Sequence, residues 1–303
     1  MDRENIYSHI INNIYFSPRN RPLRIKFTVQ ARYFFGLLFL LMALQIGATP
    51  LFDSHLHYTE ENAQHFNPQA VIDLLDKNII PYAAITGIPS AHMKELYHLA
   101  PERIIPILGA YRHGTDKLSW IKDKELIPYL ENELKRGYWH GIGELHIFAA
   151  DRHSIVFKQV VTLASKWELP LLIHADPAVI DKLYEIAPNQ PIIWAHAGTY
   201  PYPDLISDYL QRYPNLTIDV SMRDEIIAPN GIINDDWYEL LVTHPNQVIV
   251  GVDTYSTSRW DIYNIAVKRI RNWLSQLPNE IAFEIAFANA AKLYKKTPTI
   301  KDK

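Results

Sequence analysis

The stretch Asp53-Ser54-His55-Leu56-His57 follows a short apolar entry, Pro50-Leu51-Phe52. Read as the end of a β-strand, alternate side chains share a face. Asp53, His55 and His57 then point one way, and Ser54 and Leu56 the other. Two positions along a strand amount to roughly 6.6 Å of rise. Two imidazoles at that separation can lean onto one cation, at metal–nitrogen distances of about 2.0–2.1 Å. Taken alone, His-x-His is better explained as a polar strand end with two solvated rings. The rest of the chain decides between these readings.

After residue 48 a unit repeats: a short apolar run rich in β-branched residues, a polar stretch, then an amphipathic segment. The runs are residues 50–53, 80–86, 104–110, 141–145, 170–174, 192–196, 216–220 and 248–252. Segments 68–77, 154–167, 179–186 and 203–212, which lie between runs, have helical character. A strand–helix crossover unit needs about 30 residues. Continuous apolar runs suit strands buried on both faces of a parallel sheet. Eight such units fill about 255 residues, the size of a (β/α)8 TIM barrel. The competing open sheet would not normally need eight parallel strands with chemistry at so many ends. The expectation is therefore α/β, a single barrel domain over residues 49–303. In that fold active-site groups sit at the C-terminal ends of strands.

The strand ends bear this pattern. Strand 4 reads Gly141-Ile-Gly-Glu144-Leu-His146, strand 5 ends in His174-Ala-Asp176, and strand 6 in His196-Ala-Gly198. Strand 8 runs through Val248 to Asp253-Thr-Tyr255. Singly, His174 or His196 reads as a satisfied core histidine. Jointly, four histidines and two carboxylates converge on one barrel mouth, and buried charges of that density call for a cation. The chain has 13 His and no Cys. Disulfides, thiolate nucleophiles and thiolate metal sites are excluded. A nitrogen and oxygen donor set suits Zn²⁺, Mn²⁺ or Ni²⁺.

These motifs resemble the amidohydrolase superfamily of metal-dependent barrel hydrolases. The resemblance covers residues 50–295, including the closing Phe287-Ala-Asn289-Ala-Ala-Lys-Leu-Tyr294. Locally, His196-Ala-Gly198 and Gly251-Val-Asp253-Thr are most similar to its amidohydrolase-2 branch, which includes lactonases and decarboxylases. The resemblance implies that His55, His57, His174 and His196 bind metal. Asp253 would bind metal and handle the proton of an attacking water. Glu144 stands where TatD-like members place a glutamate that bridges two ions, whereas many amidohydrolase-2 relatives have no bridging acid there. One or two divalent ions per chain, most readily Zn²⁺, are thus implied, with two favoured. The implied activity is hydrolysis of an ester, lactone or amide in a small molecule. A non-hydrolytic mononuclear decarboxylase and a TatD-like nuclease are the alternatives on the same fold.

Other residues fall at the mouth by the same strand logic. His113, His146, Arg223 and Tyr255 are candidate substrate contacts, Arg223 through a bidentate grip on a carboxylate or else as an ordinary salt bridge. Asp176 lies two positions past His174. Tyr58, Phe148, Tyr200, Tyr202 and Trp260 could line an apolar pocket or simply pack the loops. The segment 224–236 after strand 7 is long enough for a lid.

Residues 1–32 are basic, with Arg19, Arg21, Arg24, Lys26 and Arg32, and no acidic residue follows Glu4 there. Residues 34–44 carry no polar side chain, and Gln45-Ile-Gly-Ala48 follows. A basic lead, a short apolar core and a small-residue end are the marks of a secretory signal peptide, cleaved here near Ala48. The run is shorter than the about 20 residues of a membrane span. The expected location is periplasmic or secreted. The alternative is an uncleaved segment anchoring the protein to the inner membrane. Beyond residue 48 the chain has 24 basic and 31 acidic residues, a net of −7. An acidic body without a basic stripe is a poor partner for nucleic acid. Oligomeric state is not legible in the sequence.

Overall fold

The computed structural model of the protein describes residues 49–296. The basic lead, the apolar run and the expected cleavage point at Ala48 lie outside the described residues. Among the described residues no helix is long and apolar enough to cross a membrane.

Eight strands pair side by side in sequence order, every pair parallel. They are β1 (Asp53–Thr59), β2 (Ala83–Ile88), β3 (Ile104–Leu108) and β4 (Gly141–Ile147), then β5 (Leu171–Ala175), β6 (Ile192–Trp194), β7 (Leu216–Asp219) and β8 (Val248–Ile249). The ends of the series meet. Ser54 N–H donates to the Val250 carbonyl at 3.0 Å, and Asp253 N–H donates to the His55 carbonyl at 2.8 Å. The sheet thus curls into a TIM-like barrel with helices between its strands, in line with the repeat of apolar runs.

The helices start where local chemistry starts them. Pro68–Lys77 has Pro at its first position, and its N-cap, Asn67, accepts the Ala70 N–H at 2.9 Å. Its buried face is Val71, Ile72 and Leu75. Ile155–Lys166 is capped by Ser154 and buries six apolar side chains on one face. Such amphipathic stripes cover the outer face of a parallel sheet.

The N-terminal end of the barrel is sealed by aromatic packing. Phe52 lies 5.5 Å from Tyr82 and 5.7 Å from Tyr294, ring centre to ring centre. Phe52 N–H donates to the Ala286 carbonyl at 2.8 Å. Asn289 gives its side-chain N–H groups to the carbonyls of Pro245 (2.7 Å) and Val248 (2.8 Å), fastening the last helix to the start of β8.

The structure departs from the sequence expectation at both ends of the strand series. β1 runs on to Thr59, because the residues after Asp53 are buried and pair with β2 as far as Thr59↔Ile88. Its register shifts between Asp53 and Leu56, so strict alternation fails there. Asp53 does not join the two histidines: its carboxylate accepts from Tyr263 Oη–H at 2.7 Å and from Val252 N–H at 3.1 Å. Burial pushes this carboxyl up to about 7, although those bonds favour its charged form. At the other end of the series, the β8 ladder stops at Ile249. Segment 224–236 is held in place. Gly231 O accepts from Asn272 and Gln276 at 2.8 Å each, and Ile233 N–H donates to Gln276 at 3.1 Å.

At Gly251 the chain after β8 passes close against β1. A Cβ there would lie 2.7 Å from His55 Cβ and 2.9 Å from His55 N. Backbone cannot yield as a flexible side chain does, so Gly251→Ala should destabilise the fold by about 1–3 kcal/mol. Denaturant unfolding checks this, and an unchanged midpoint would contradict the close approach.

Candidate metal centre

Glu144 is the hub. It lies in the middle of β4, where the register with β5 shifts between Ile142 and Leu145, and only 3% of its side chain is exposed. Oε2 lies 3.3 Å from His57 Nε2 and 3.7 Å from both His55 Nε2 and His146 Nε2. Oε1 lies 3.3 Å from His174 Nδ1 and 3.4 Å from His196 Nε2. Five imidazoles from β1, β4, β5 and the turn after β6 therefore face one carboxylate. Asp253 completes the group, 3.6 Å from His57 Nε2 through Oδ1 and 3.6 Å from His196 Nε2 through Oδ2.

The backbone bends to deliver two of these groups. His196 and Asp253 adopt left-handed conformations, at φ 59° and 55°. That region disfavours side chains with a Cβ, Asp less than most, and such strain gathers at functional sites.

Second-layer contacts orient the rings. His55 Nδ1 lies 2.7 Å from Asp219 Oδ2. A carboxylate only accepts, so the Nδ1 proton is fixed there and Nε2 turns to the cluster. His196 Nδ1 lies 3.1 Å from the Ser221 carbonyl, with the same consequence. The Ser221 hydroxyl donates to Asp219 at 2.6 Å. His55 Nε2 then stands only 3.1 Å from His57 Nε2.

Electrostatics make this a site for positive charge. Burial alone would lower His55, but Asp219, Asp253 and Glu144 outweigh it and hold His55 well above its ordinary value. Burial likewise opposes, and Glu144 then overcomes, the charging of His196, which is raised. Burial would raise Glu144, yet the imidazoles of His174, His196 and His55 around it hold it well below the carboxylate range. His146 goes the other way: burial pushes it down to about 3, so its ring is neutral at pH 7.

A divalent cation fits these residues. His57 Nδ1, Glu144 Oε1 and His174 Nδ1 are buried without a hydrogen-bond partner among the described residues. An unsatisfied buried polar group costs about 1–3 kcal/mol, which a bound cation among these donors offsets. Three sets have ligand atoms within 4.8 Å of one another: His55, His196 and Asp253; His55, His57 and Glu144; and Glu144, His146 and His174. The third set puts His146 beside His174, their rings stacked 4.5 Å apart. All six candidate ligands named from the strand ends are thus brought together.

The remaining candidates divide. His146 lines the mouth, its Nδ1 2.9 Å from Tyr111 Oη. Tyr255 lines it too, edge-on to His57 at 5.5 Å. His113 is exposed and outside the cavity lining. Arg223 is not among the residues that line the cavity. Its Nε donates to the His196 carbonyl at 2.7 Å and its Nη2 to the Gly198 carbonyl at 3.1 Å, so it braces the turn after β6. Asp176 accepts the Ala149 N–H at 2.7 Å and pins the loop after β4. Tyr58 and Trp260 are buried in the core, while Phe148, Tyr200 and Tyr202 are exposed.

Sequence reading passed over Asp219, the last residue of β7, although it stands as near the end of its apolar run as the candidate ligands do to theirs. It also passed over Lys117 and Arg259, which line the cavity with Glu144, His146, His174, His196, Asp253 and Tyr255. Neither follows a strand directly, so strand-end logic could not find them.

No protein-family model matches this sequence, and no curated protein matches it. Solved structures do share its fold. A protein named as a probable 2-pyrone-4,6-dicarboxylic acid hydrolase from Acinetobacter baumannii, with citric acid bound, is 15% identical at a TM-score of 0.57. The match covers 81% of this chain and 99% of that one. A second protein so named, from Pseudomonas putida, is 12% identical at a TM-score of 0.59, covering 82% and 98%. The likeness is one of fold, and it agrees with the barrel expected from the repeat of apolar runs.

Asp219→Asn keeps the shape beside His55 but removes the fixed acceptor charge. Metal affinity should fall about 10–100-fold with the fold intact, since partners of ligand imidazoles typically contribute that much. Competition with a chromophoric chelator measures it, and an unchanged affinity would show that His55 is not a ligand.

Proposed function

We propose that this protein is a metal-dependent hydrolase that cleaves an ester, lactone or amide bond in a small molecule. One observation carries the reading: four histidines, Glu144 and Asp253 converge at the mouth of the barrel, beside a cavity of about 270 Å³. That volume suits a small molecule. The names of the two like-folded hydrolases support the same reaction class.

His55, His57, His174, His196, Glu144 and Asp253 would hold the cation. A bound divalent ion, Zn²⁺ being the first choice for these donors, supplies Lewis acidity at neutral pH. The chain's own groups do the rest. Asp253 is the carboxylate open to the cavity, 14% exposed against 3% for Glu144. Its Oδ1 accepts the Tyr255 N–H at 3.2 Å, which sets the orientation of the carboxylate. Asp253 accepts the proton of the attacking water and returns it to the leaving group. Glu144, enclosed by imidazoles, stays ionised and fixes the charge of the floor.

The alternatives have less support. A decarboxylase reading relied on Arg223 as a carboxylate anchor, and that side chain is committed to two backbone carbonyls. A nuclease reading relied on Glu144 alone, against a net charge of −7 beyond residue 48.

Asp253→Asn tests the assignment. Across a panel of esters, lactones and amides, kcat should fall at least about 10²-fold with KM little changed. A variant as active as the wild type would remove Asp253 from the chemistry. Carbon dioxide release without hydrolysis would replace the reaction class.

A further inference from the structure

We propose that Lys117 binds an anionic group of the substrate, a carboxylate above all, remote from the bond that is cleaved. This names the substrate class of the hydrolase reading and rests on it.

Lys117 belongs to the 3-10 turn Gly114–Leu118, in the loop after β3. It lines the same cavity as Glu144, His174, His196 and Asp253. Its Nζ stands 4.9 Å from the ring centre of Tyr255, which comes from the loop after β8. The pair thus reaches across the mouth from two separate loops. An aromatic face attracts an ammonium without neutralising it.

The arginines near the mouth each have a partner inside the protein. Arg112 is paired with Asp123. Arg223 is spent on the carbonyls of His196 and Gly198. Arg259 gives Nε to the Val252 carbonyl, and its Nη2, which makes no hydrogen bond among the described residues, has the Asp224 carboxylate 3.8 Å away. Lys117 forms no ion pair with any carboxylate among the described residues.

The placement of charge points the same way. The carboxylates of Glu144, Asp253 and Asp219 are gathered on the floor, among the imidazoles that would hold the cation. Lys117 stands on a loop at the rim with no carboxylate of its own, and a ligand with a carboxylate at that end completes it. A Lys–carboxylate contact in a partly desolvated cavity is a charge-assisted hydrogen bond and favours a ligand with a carboxylate at each end over one in which either is esterified. The opposing view is a solvated rim lysine resting on a tyrosine, which would confer no such preference.

Binding alone separates the two views. Succinate, glutarate and adipate, each beside its monomethyl ester, are titrated calorimetrically into the full-length protein and its Lys117→Met and Lys117→Arg variants. The wild type should prefer at least one diacid over its monoester by roughly tenfold or more. Lys117→Met should bring that ratio close to one, and Lys117→Arg should keep most of it. A wild type that binds no diacid, or shows no preference, overturns the proposal. So does a preference that survives in Lys117→Met. Because binding requires no turnover, a preference lost in Lys117→Met alongside an absence of hydrolysis by the wild type would uphold the role of Lys117 and reject the hydrolase reading instead.

Discussion

A carboxylate buried among five imidazoles is the constraint on which this barrel mouth depends. Glu144 has all five nitrogens within 3.7 Å. An isolated buried charge of this kind is costly, and only positive charge at the same place makes it stable. The rings around it supply that charge as protons or gather it as a cation. Asp219 and the Ser221 carbonyl point the inner rings towards Glu144 by holding their far nitrogens. The left-handed backbone at His196 and Asp253, and the contact of Gly251 with His55, are accommodations to the same cluster.

The fold was legible because a parallel barrel writes one unit eight times. The buried strands read as apolar runs, and Pro68–Lys77 and Pro203–Arg212 begin at prolines that any sequence reader can see. Strand ends were less legible. The polar residues of β1 continue the strand because the barrel mouth buries them, whereas hydropathy alone ends it at Asp53. The slip in register that turns Asp53 to Tyr263 is a local geometric event with no signature in composition.

The ligand candidates were legible because each ends an apolar run. Asp219 carried the same signal and was overshadowed by Arg223 four residues on. Arg223 read as a substrate anchor because a cation after a strand faces the mouth on average. Its donors instead satisfy carbonyls exposed by the strained turn at His196, a demand that appears only in three dimensions. Lys117 had no signal at all, since a 3-10 turn some residues past β3 carries it to the cavity. Specificity residues on loops are the hardest to read for this reason, while a rigid scaffold fixes the chemistry.

The central claim is that the cluster around Glu144 is a metal centre, and its metal content tests that most directly. Elemental analysis of the purified full-length protein, before and after chelation and reloading with Zn²⁺ or Mn²⁺, gives the stoichiometry. The account predicts about one or two divalent ions per chain, lost to the chelator and regained on reloading. A natively folded protein that contains no such ion and takes up none would contradict it.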